Sequence, residues 1–394
     1  MRICFVHNFY KQFGGEDDVV QNMTSLLGKK NEVILFTRDS KSISSIKSKI
    51  KLISGIEGKN SVRDLVSFIN NNKPDVVHFH NVFPMITPSA YTEVLKMNVP
   101  IVQTIHNFRF FCVNGLLQDR NGEICTSQGN YLKCIREKCY RNSAAQTYMY
   151  TRHLKKMKRE DVLKRFDGVI VLSEFMKNFI ENEIPGIKNL NVIPNFTYGR
   201  SNEIPVSERE KSYYLYIGRL SEEKGLMSLV KAFKGKEWQL KIAGSGPLEF
   251  DLKKIIKEEK LSNVHLVGFV QGEEKDNLIC NSKAILLPSE WLEQLPISAI
   301  DGLSRSIPLL VSKNGGLTSI VEDGVNGFKF TAGNIPELEK AIEKIEEVKL
   351  EGYENICKGA FVSWKNKYSP EVFENSILTL YQKVIEKRGI VNVI

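Results

Sequence analysis

Short apolar runs of strand length alternate with stretches of helical periodicity along nearly the whole chain, and this alternation narrows the possible folds more than any other feature. In the first half the apolar runs occupy residues 3–7, 33–37, 75–80, 101–105 and 168–172. Between the first two, Val19, Val20, Met23, Leu26 and Leu27 fall on one helical stripe. A second series of runs occupies residues 213–217, 239–243, 265–267, 284–287 and 309–311. Pro194 to Val206, with Asn195, Gly199 and Pro205, interrupts the pattern and reads as a linker. Strand–helix repetition of this kind builds parallel, doubly wound sheets. Two Rossmann-like α/β domains are therefore expected, and 394 residues are enough to give each its own core. Ligands of such sheets sit over the carboxyl ends of the strands, so the strand-to-helix loops are where chemistry is expected.

Composition excludes several classes. Apolar residues at 42% and charged residues at 26% suit a globular protein. Met1-Arg2 leads straight into Ile3-Cys4-Phe5-Val6, too short for a signal-peptide core, and no apolar run approaches a membrane span. An intracellular, cytoplasmic protein is expected. The charge is unevenly shared: residues 1–200 carry 29 Lys and Arg against 18 Asp and Glu, a net of +11, and the remainder 26 against 28, a net of −2. An anionic partner or surface is expected for the first half only. Helix-turn-helix, zinc-finger and RNA-recognition signatures are missing, so nucleic acid is not expected. G-x-G-x-x-G does not follow the first strand, which disfavours a dinucleotide oxidoreductase.

The most informative loop lies in AILLPSEWLEQLPISAIDGLSRSIPLL, residues 284–310. A buried-strand run ends at Pro288-Ser289, and an acidic turn carries Glu290, Glu293 and Gln294 around Trp291. Pro296 stands where a helix can start, and Ile297, Ile300 and Leu303 mark one face of it. Glu293 lies in the loop and Asp301 two turns into the helix; an acidic loop beside an ordinary amphipathic helix is the plainer alternative. At the end of the run 213–217, Gly218-Arg219-Leu220-Ser221-Glu222-Glu223-Lys224-Gly225 presents a planar fork and a point charge from a glycine bend, which is phosphate chemistry. Gly244-Ser245-Gly246-Pro247 ends the next run, and Gly315-Gly316-Leu317-Thr318 follows the run 309–311, where glycine-freed amides can cap phosphates. Each alone reads equally well as a turn.

In the first half, Phe13-Gly14-Gly15-Glu16-Asp17-Asp18 follows the first strand. Paired glycines allow close backbone approach, and the helix start offers free amides to an anion. Asp17 and Asp18 read as partners of the helix dipole and not as metal ligands. His106 ends a strand at Thr104-Ile105-His106-Asn107, well placed to reach a ligand, and His78 and His80 flank a similar strand end. Cys112, Cys125, Cys134 and Cys139 gather four of the seven cysteines without a Cys-x-x-Cys knuckle; free thiols, a metal site and disulfides all remain open. From Thr151 to Arg165, Arg152, Lys155, Lys156, Lys158, Arg159, Lys164 and Arg165 face a modest apolar complement of Leu154, Met157 and Leu163. That run reads either as a solvated helix face or as a footprint on an anionic membrane, carried by Arg152, Lys155, Lys156, Lys158 and Arg159.

The segment 284–310 resembles the nucleotide-binding signature of retaining glycosyltransferases of family 4, whose two Rossmann-like domains face a central cleft in the GT-B arrangement. Glu293 matches the first acidic position of that signature, and Asp301 stands where the second glutamate is usual, keeping the charge with one methylene less reach. Gly218, Arg219, Lys224 and Gly225 match the family's diphosphate motif, and Gly244 and Gly246 its G-x-G-P turn. Ser319 departs from the acidic residue usual before Ile-Val. HNFRFFCVNGLL and KCYRNS, within residues 106–143, are similar to a capsular and exopolysaccharide subgroup. The resemblance implies an acceptor-side domain over residues 1–198, a nucleotide-sugar domain over 199–369 and a last helix, 370–394, crossing back to the first. It implies a metal-independent hexosyltransferase that uses a nucleotide diphosphate sugar, UDP-linked, and keeps the anomeric configuration. Its acceptor would be a saccharide or lipid-linked saccharide in surface polysaccharide synthesis, with the enzyme peripheral on the inner face of the membrane. His106, Glu293, Arg219 and Lys224 would be catalytic. Gly14, Gly15, Gly218, Gly244, Gly246, Asp301, Gly316, Leu317 and Thr318 would bind the donor, and a further cofactor is not expected. An epimerase or phosphorylase of the same fold, or a nucleotide-sugar-binding protein without turnover, are the alternatives.

Overall fold

The computed structural model describes residues 1–10, 14–42, 56–119, 122–125, 129–199 and 212–389. Phe13 of the glycine loop and residues 200–206 of the expected linker lie outside these. The chain divides into two compact units, Met1–Ile193 with Glu374–Ile394, and Pro194–Phe373.

In the first unit, β1 (Arg2–Phe9), β2 (Glu32–Asp39), β3 (Val76–Phe79), β4 (Ile101–Ile105), β5 (Gly168–Val171) and β6 (Leu190–Val192) form one sheet in the order β2-β1-β3-β4-β5-β6. Every pairing is parallel. The middle strands are buried on both faces, which is why they read as unbroken apolar runs. β2 is an edge strand and half exposed. In the second unit, β7 (Tyr213–Ile217), β8 (Leu240–Ala243), β9 (Val264–Gly268), β10 (Ser282–Leu287), β11 (Leu309–Ser312) and β12 (Gly327–Phe330) run parallel in the order β12-β11-β10-β7-β8-β9. Its core packs Tyr214, Tyr216, Leu226, Leu229, Phe233 and Leu286 together.

Both sheets reverse their winding once. The first unit lays β2 on one side of β1 and β3 on the other; the second lays β8 and β9 on one side of β7 and β10 on the other. The loops after β1 and β3, and after β7 and β10, therefore splay apart over a crevice at the strand carboxyl ends. The glycine loop at Gly14 and His80 belong to the first crevice, and the motifs at Gly218 and Glu293 to the second. The helix expected from Pro296 spans Ile297–Ser304 with Pro296 as its N-cap.

Candidate active site

In the second unit the chain leaves β7 through Gly218 and Arg219, and the Tyr216 hydroxyl donates to the Arg219 carbonyl at 2.8 Å. That bond pins the turn from beneath and leaves the Arg219 side chain exposed, with no ion pair among the described residues. The chain then passes over Ser221 into a short 3-10 turn, Glu222–Lys224, which ends at Gly225 in the left-handed region (φ 68°). Glycine is required there twice over: a Cβ would adopt a disfavoured φ and would lie 2.1 Å from the Pro288 carbonyl oxygen. That close approach joins the loop after β7 to the loop after β10. The Glu290 amide donates to the Glu223 carbonyl at 2.9 Å across the same seam.

The seam brings two of the sequence candidates into contact. The Lys224 ammonium donates to Glu293 Oε1, and the same oxygen accepts from Ser289 Oγ at 2.8 Å. Side-chain exposure is 17% for Lys224 and 7% for Glu293. Lys224 Nζ also sits 4.9 Å from the centre of the Trp291 ring. Beneath Glu293, its carbonyl accepts from the Gly316 amide at 2.6 Å, and a Cβ on Gly316 would fall 1.7 Å from the Gln294 carbonyl oxygen. Gly316 therefore locks the acidic loop against the turn after β11, and its amide is already committed. The Leu317 and Thr318 amides make 3.3 Å bonds to Asn314 and Gly315; the Leu317 side chain lies in the core and Thr318 is exposed. Gly244 and Gly246 pack on the loop after β7, where Cβ atoms would lie 1.8 Å from the Gly218 carbonyl and 2.3 Å from the Leu220 carbonyl.

Asp301 is buried within the helix Ile297–Ser304 and is held by cations. Lys275 Nζ lies 2.8 Å from Oδ2 and an Arg305 guanidinium nitrogen 3.5 Å from Oδ1. Arg305 also donates to Asp276 at 2.6 Å and to Ser304 Oγ at 2.7 Å. Sequence reading missed Ser289, Lys275 and Arg305, and periodicity offers no signal for such contacts.

In the first unit, Gly14 caps the helix Gly15–Leu27, and a Cβ there would stand in open space. Asp17 folds back inside that helix: it accepts from the Gly14 amide at 3.0 Å and the Tyr10 amide at 3.3 Å, and pairs with His7 at 2.8 Å, fully buried. Its oxygens organise the loop. Glu16 accepts from the Tyr10 hydroxyl at 2.6 Å and lines a cavity of about 30 Å³ with His80, His106, Arg109 and Tyr150. His78 is a structural group, bonded through one nitrogen to the Tyr381 hydroxyl (2.6 Å) and through the other to Thr104 Oγ1 (2.7 Å). His80 Nδ1 lies 3.0 Å from His106 Nε2. Burial is the main cause that lowers all three: His78 falls to about 3, His80 well below its ordinary value, and His106 below it against the pull of Glu16.

The four cysteines lie near one another. Burial first, and then Cys139, Cys112 and Cys125, push the Cys134 thiol up to about 12. Among the described residues no group of three or more His, Cys, Asp or Glu is arranged to hold a metal ion. The basic run occupies the helices Ala144–Arg159 and Val162–Arg165. Leu154, Met157 and Leu163 are buried in the core, so the apolar complement read from sequence faces inward, and the outer face carries Arg152, Lys155, Lys158 and Arg159 together with the exposed Tyr148 and Asp161. No helix among the described residues is long and apolar enough to cross a membrane.

Two Rossmann-like units, one carrying a glycine turn with Arg219 and Lys224 against an acidic loop, are the architecture of nucleotide-sugar-handling GT-B proteins. Comparison with known proteins is more specific. Residues 14–197 match the model for Glycosyltransferase Family 4 and residues 200–360 that for Glycosyl transferases group 1, and the chain is a glycosyltransferase of the GT-B type. An uncharacterized glycosyltransferase of Methanocaldococcus jannaschii, MJ1178, is 24% identical over 89% of this chain and 90% of its own length. Sucrose-phosphate synthase of Thermosynechococcus elongatus superposes with a TM-score of 0.73 at 16% identity, over 98% of this chain and 100% of that one. HepE of Anabaena, solved with UDP, superposes at 0.65 and 16% identity, over 99% and 100%.

Proposed function

We propose that this enzyme is a retaining hexosyltransferase that moves a sugar from a UDP-sugar to a saccharide acceptor, carried on a lipid, in surface polysaccharide synthesis. The observation that carries the reading is the pair Lys224–Glu293 at the crevice of the second sheet, beside an exposed Arg219 that has no ion pair among the described residues. Breaking the anomeric bond gathers negative charge on the departing diphosphate, and two cations at a glycine turn are suited to stabilise it. Arg219 and Lys224 take that role without a metal. Glu293 holds hydroxyls of the donor sugar, Asp301 the ribose, and Gly14, Gly15, Gly218, Gly244, Gly246, Gly316, Leu317 and Thr318 shape the donor's surroundings. His106 meets the sugar. With no carboxylate assigned as nucleophile, retention follows from attack on the face that the diphosphate leaves, with a phosphate oxygen taking the acceptor's proton. UDP bound to the Anabaena neighbour supports a uridine nucleotide. The outer face of Arg152, Lys155, Lys156, Lys158 and Arg159 suits an anionic bilayer on which a lipid-linked acceptor would be met.

The test is a panel of nucleotide sugars with and without saccharide acceptors, scored for nucleoside diphosphate release, with the anomeric configuration of the product read by NMR and the assay repeated in EDTA. Inverted product would overturn retention, and loss of turnover in EDTA would overturn metal independence. Nucleotide binding without release in any combination would leave only a binding protein.

A further inference from the structure

Three histidine rings lie one against the next at the carboxyl ends of β3 and β4. His78 and His80 stack with ring centres 4.3 Å apart, and His80 and His106 with centres 5.3 Å apart and planes 23° from parallel. His78 is fixed at both nitrogens by Tyr381 and Thr104. His80 is 3% exposed, and its Nε2 is buried without a partner among the described residues.

We propose that His80 fixes His106 in the tautomer bearing its proton on Nδ1, so that His106 offers an N–H donor to the sugar. This rests on the reading above that His106 meets the donor. One proton occupies the 3.0 Å bond between His80 Nδ1 and His106 Nε2. If His106 donated it, His80 would accept on Nδ1 and carry its own proton on Nε2, where nothing receives it. A buried N–H with no acceptor is the rarer and costlier defect; a bare lone pair is tolerated more readily. Protonating either ring creates the same orphan on His80 Nε2. The arrangement that avoids it has His80 donating from Nδ1 and His106 accepting on Nε2. The second nitrogen of the half-buried His106 ring then carries hydrogen.

The groups facing the pair do not reverse this. His7 from β1 is held by Asp17, and His78 from β3 is neutral. Glu16, from the helix Gly15–Leu27, draws positive charge toward His106 but is outweighed by burial. Arg109 lines the same cavity and disfavours a second cation there. His80 is thus a positioning residue: it touches His106, and His106 touches substrate.

The test uses full-length protein labelled with ¹⁵N in histidine, whose long-range ¹H–¹⁵N correlations distinguish the two neutral tautomers and the cation. Spectra are recorded from about pH 5 to 8, where an unperturbed histidine titrates. The His106 signals, assigned with His106→Gln, are expected to show the Nδ1–H form throughout. In His80→Leu they should turn to the Nε2–H form or begin to titrate, and His80→Asn, whose amide N–H can occupy the place of Nδ1, should restore the wild-type pattern. With UDP-glucose and UDP-N-acetylglucosamine, His80→Leu should lower kcat about ten- to a hundredfold, the scale for losing a partner that orients a functional histidine, with KM little moved. The Nε2–H form in wild type overturns the proposal without any variant, and so does a His106 that ignores the change to leucine. A His106 that follows His80 in a protein inactive with every nucleotide sugar would count against the transferase reading alone.

Discussion

Glu293→Gln is expected to tighten binding of UDP while lowering turnover. The carboxylate already occupies the cation proposed to hold the diphosphate: Lys224 is bonded to Oε1, and Ser289 holds that oxygen at 2.8 Å. Binding a diphosphate there would therefore exchange one anion for another on Lys224. Both partners are largely buried, at 17% and 7% exposure, so the bond is not screened away as a surface pair would be. A hydrogen bond to a charged group in such a setting contributes about 1.5–3 kcal/mol. Removing the carboxylate's charge frees much of that for the incoming ligand, roughly a ten- to hundredfold gain in affinity. The glutamine oxygen still accepts from Lys224, which favours the lower end. Turnover falls because the amide is a poorer acceptor for sugar hydroxyls than the carboxylate. Calorimetric titration with UDP reads the first effect and nucleoside diphosphate release the second. Lys224→Ala is the control, with affinity moving the other way. If Glu293→Gln binds UDP as wild type does, or more weakly, the idea that Glu293 competes with phosphate for Lys224 is wrong.

Four further outcomes are expected. Asp301→Ala leaves Arg305 and Lys275 without their shared carboxylate, and should cost about 3 kcal/mol of unfolding free energy in a denaturant titration, with Asp301→Asn between it and wild type. Gly225→Ala meets both the left-handed φ and the Pro288 carbonyl, so its melting temperature should fall, and UDP affinity should fall with it because the seam carrying Lys224 and Glu293 has to open. His78, neutral in the fold with its value lowered to about 3, is protonated in the unfolded chain below about 6.5; stability should therefore be full above that pH and decline on acidification at about 1.4 kcal/mol per unit from this residue alone, a slope that His78→Gln removes. Exchanging Lys155, Lys156, Lys158 and Arg159 for Gln should abolish salt-sensitive binding to anionic vesicles and spare donor hydrolysis; equal binding of wild type to neutral vesicles would refute the footprint.

The strands that a sequence reader can find are those a parallel sheet buries on both faces. Residues 213–217 and 101–105 coincide with β7 and β4 for that reason. β6 and β12 escape because they are edge strands of three and four residues, only partly buried, with Asn191 and Lys329 interrupting any apolar run. The candidate cations and carboxylates were legible as motifs, each within one loop. Their pairing was not: Lys224 and Glu293 are 69 residues apart and meet only because β7 and β10 are neighbours. The basic helices show the converse failure. Leu154, Met157 and Leu163 mark an apolar stripe correctly, yet periodicity is silent on whether a stripe meets a core or a bilayer. Here it meets the core.

The two crevices prepare their polar groups by opposite means, and this bears on how a donor is released. The second unit keeps charges in pairs: Glu293 is bonded to Lys224, and Asp301 is balanced by Lys275 and Arg305; on the proposed reading an incoming phosphate would replace Glu293 on Lys224. Because Lys224 is bonded to Glu293, the gain on binding a diphosphate there would be a difference between two anions and not the whole strength of an ion pair. On that reading, re-forming the Lys224–Glu293 bond would favour departure of the nucleoside diphosphate once the sugar has moved. In the first unit the histidines themselves are kept from charging: burial drives His78, His80 and His106 toward neutrality, while Glu16 and Arg109 line the same cavity. On the proposed reading, a neutral His106 would bond a sugar hydroxyl as a hydrogen-bond partner and not as a cation. Positive charge at His106 would add a second cation beside Arg109 in the same cavity, which is a physical reason for the fold to hold that ring uncharged.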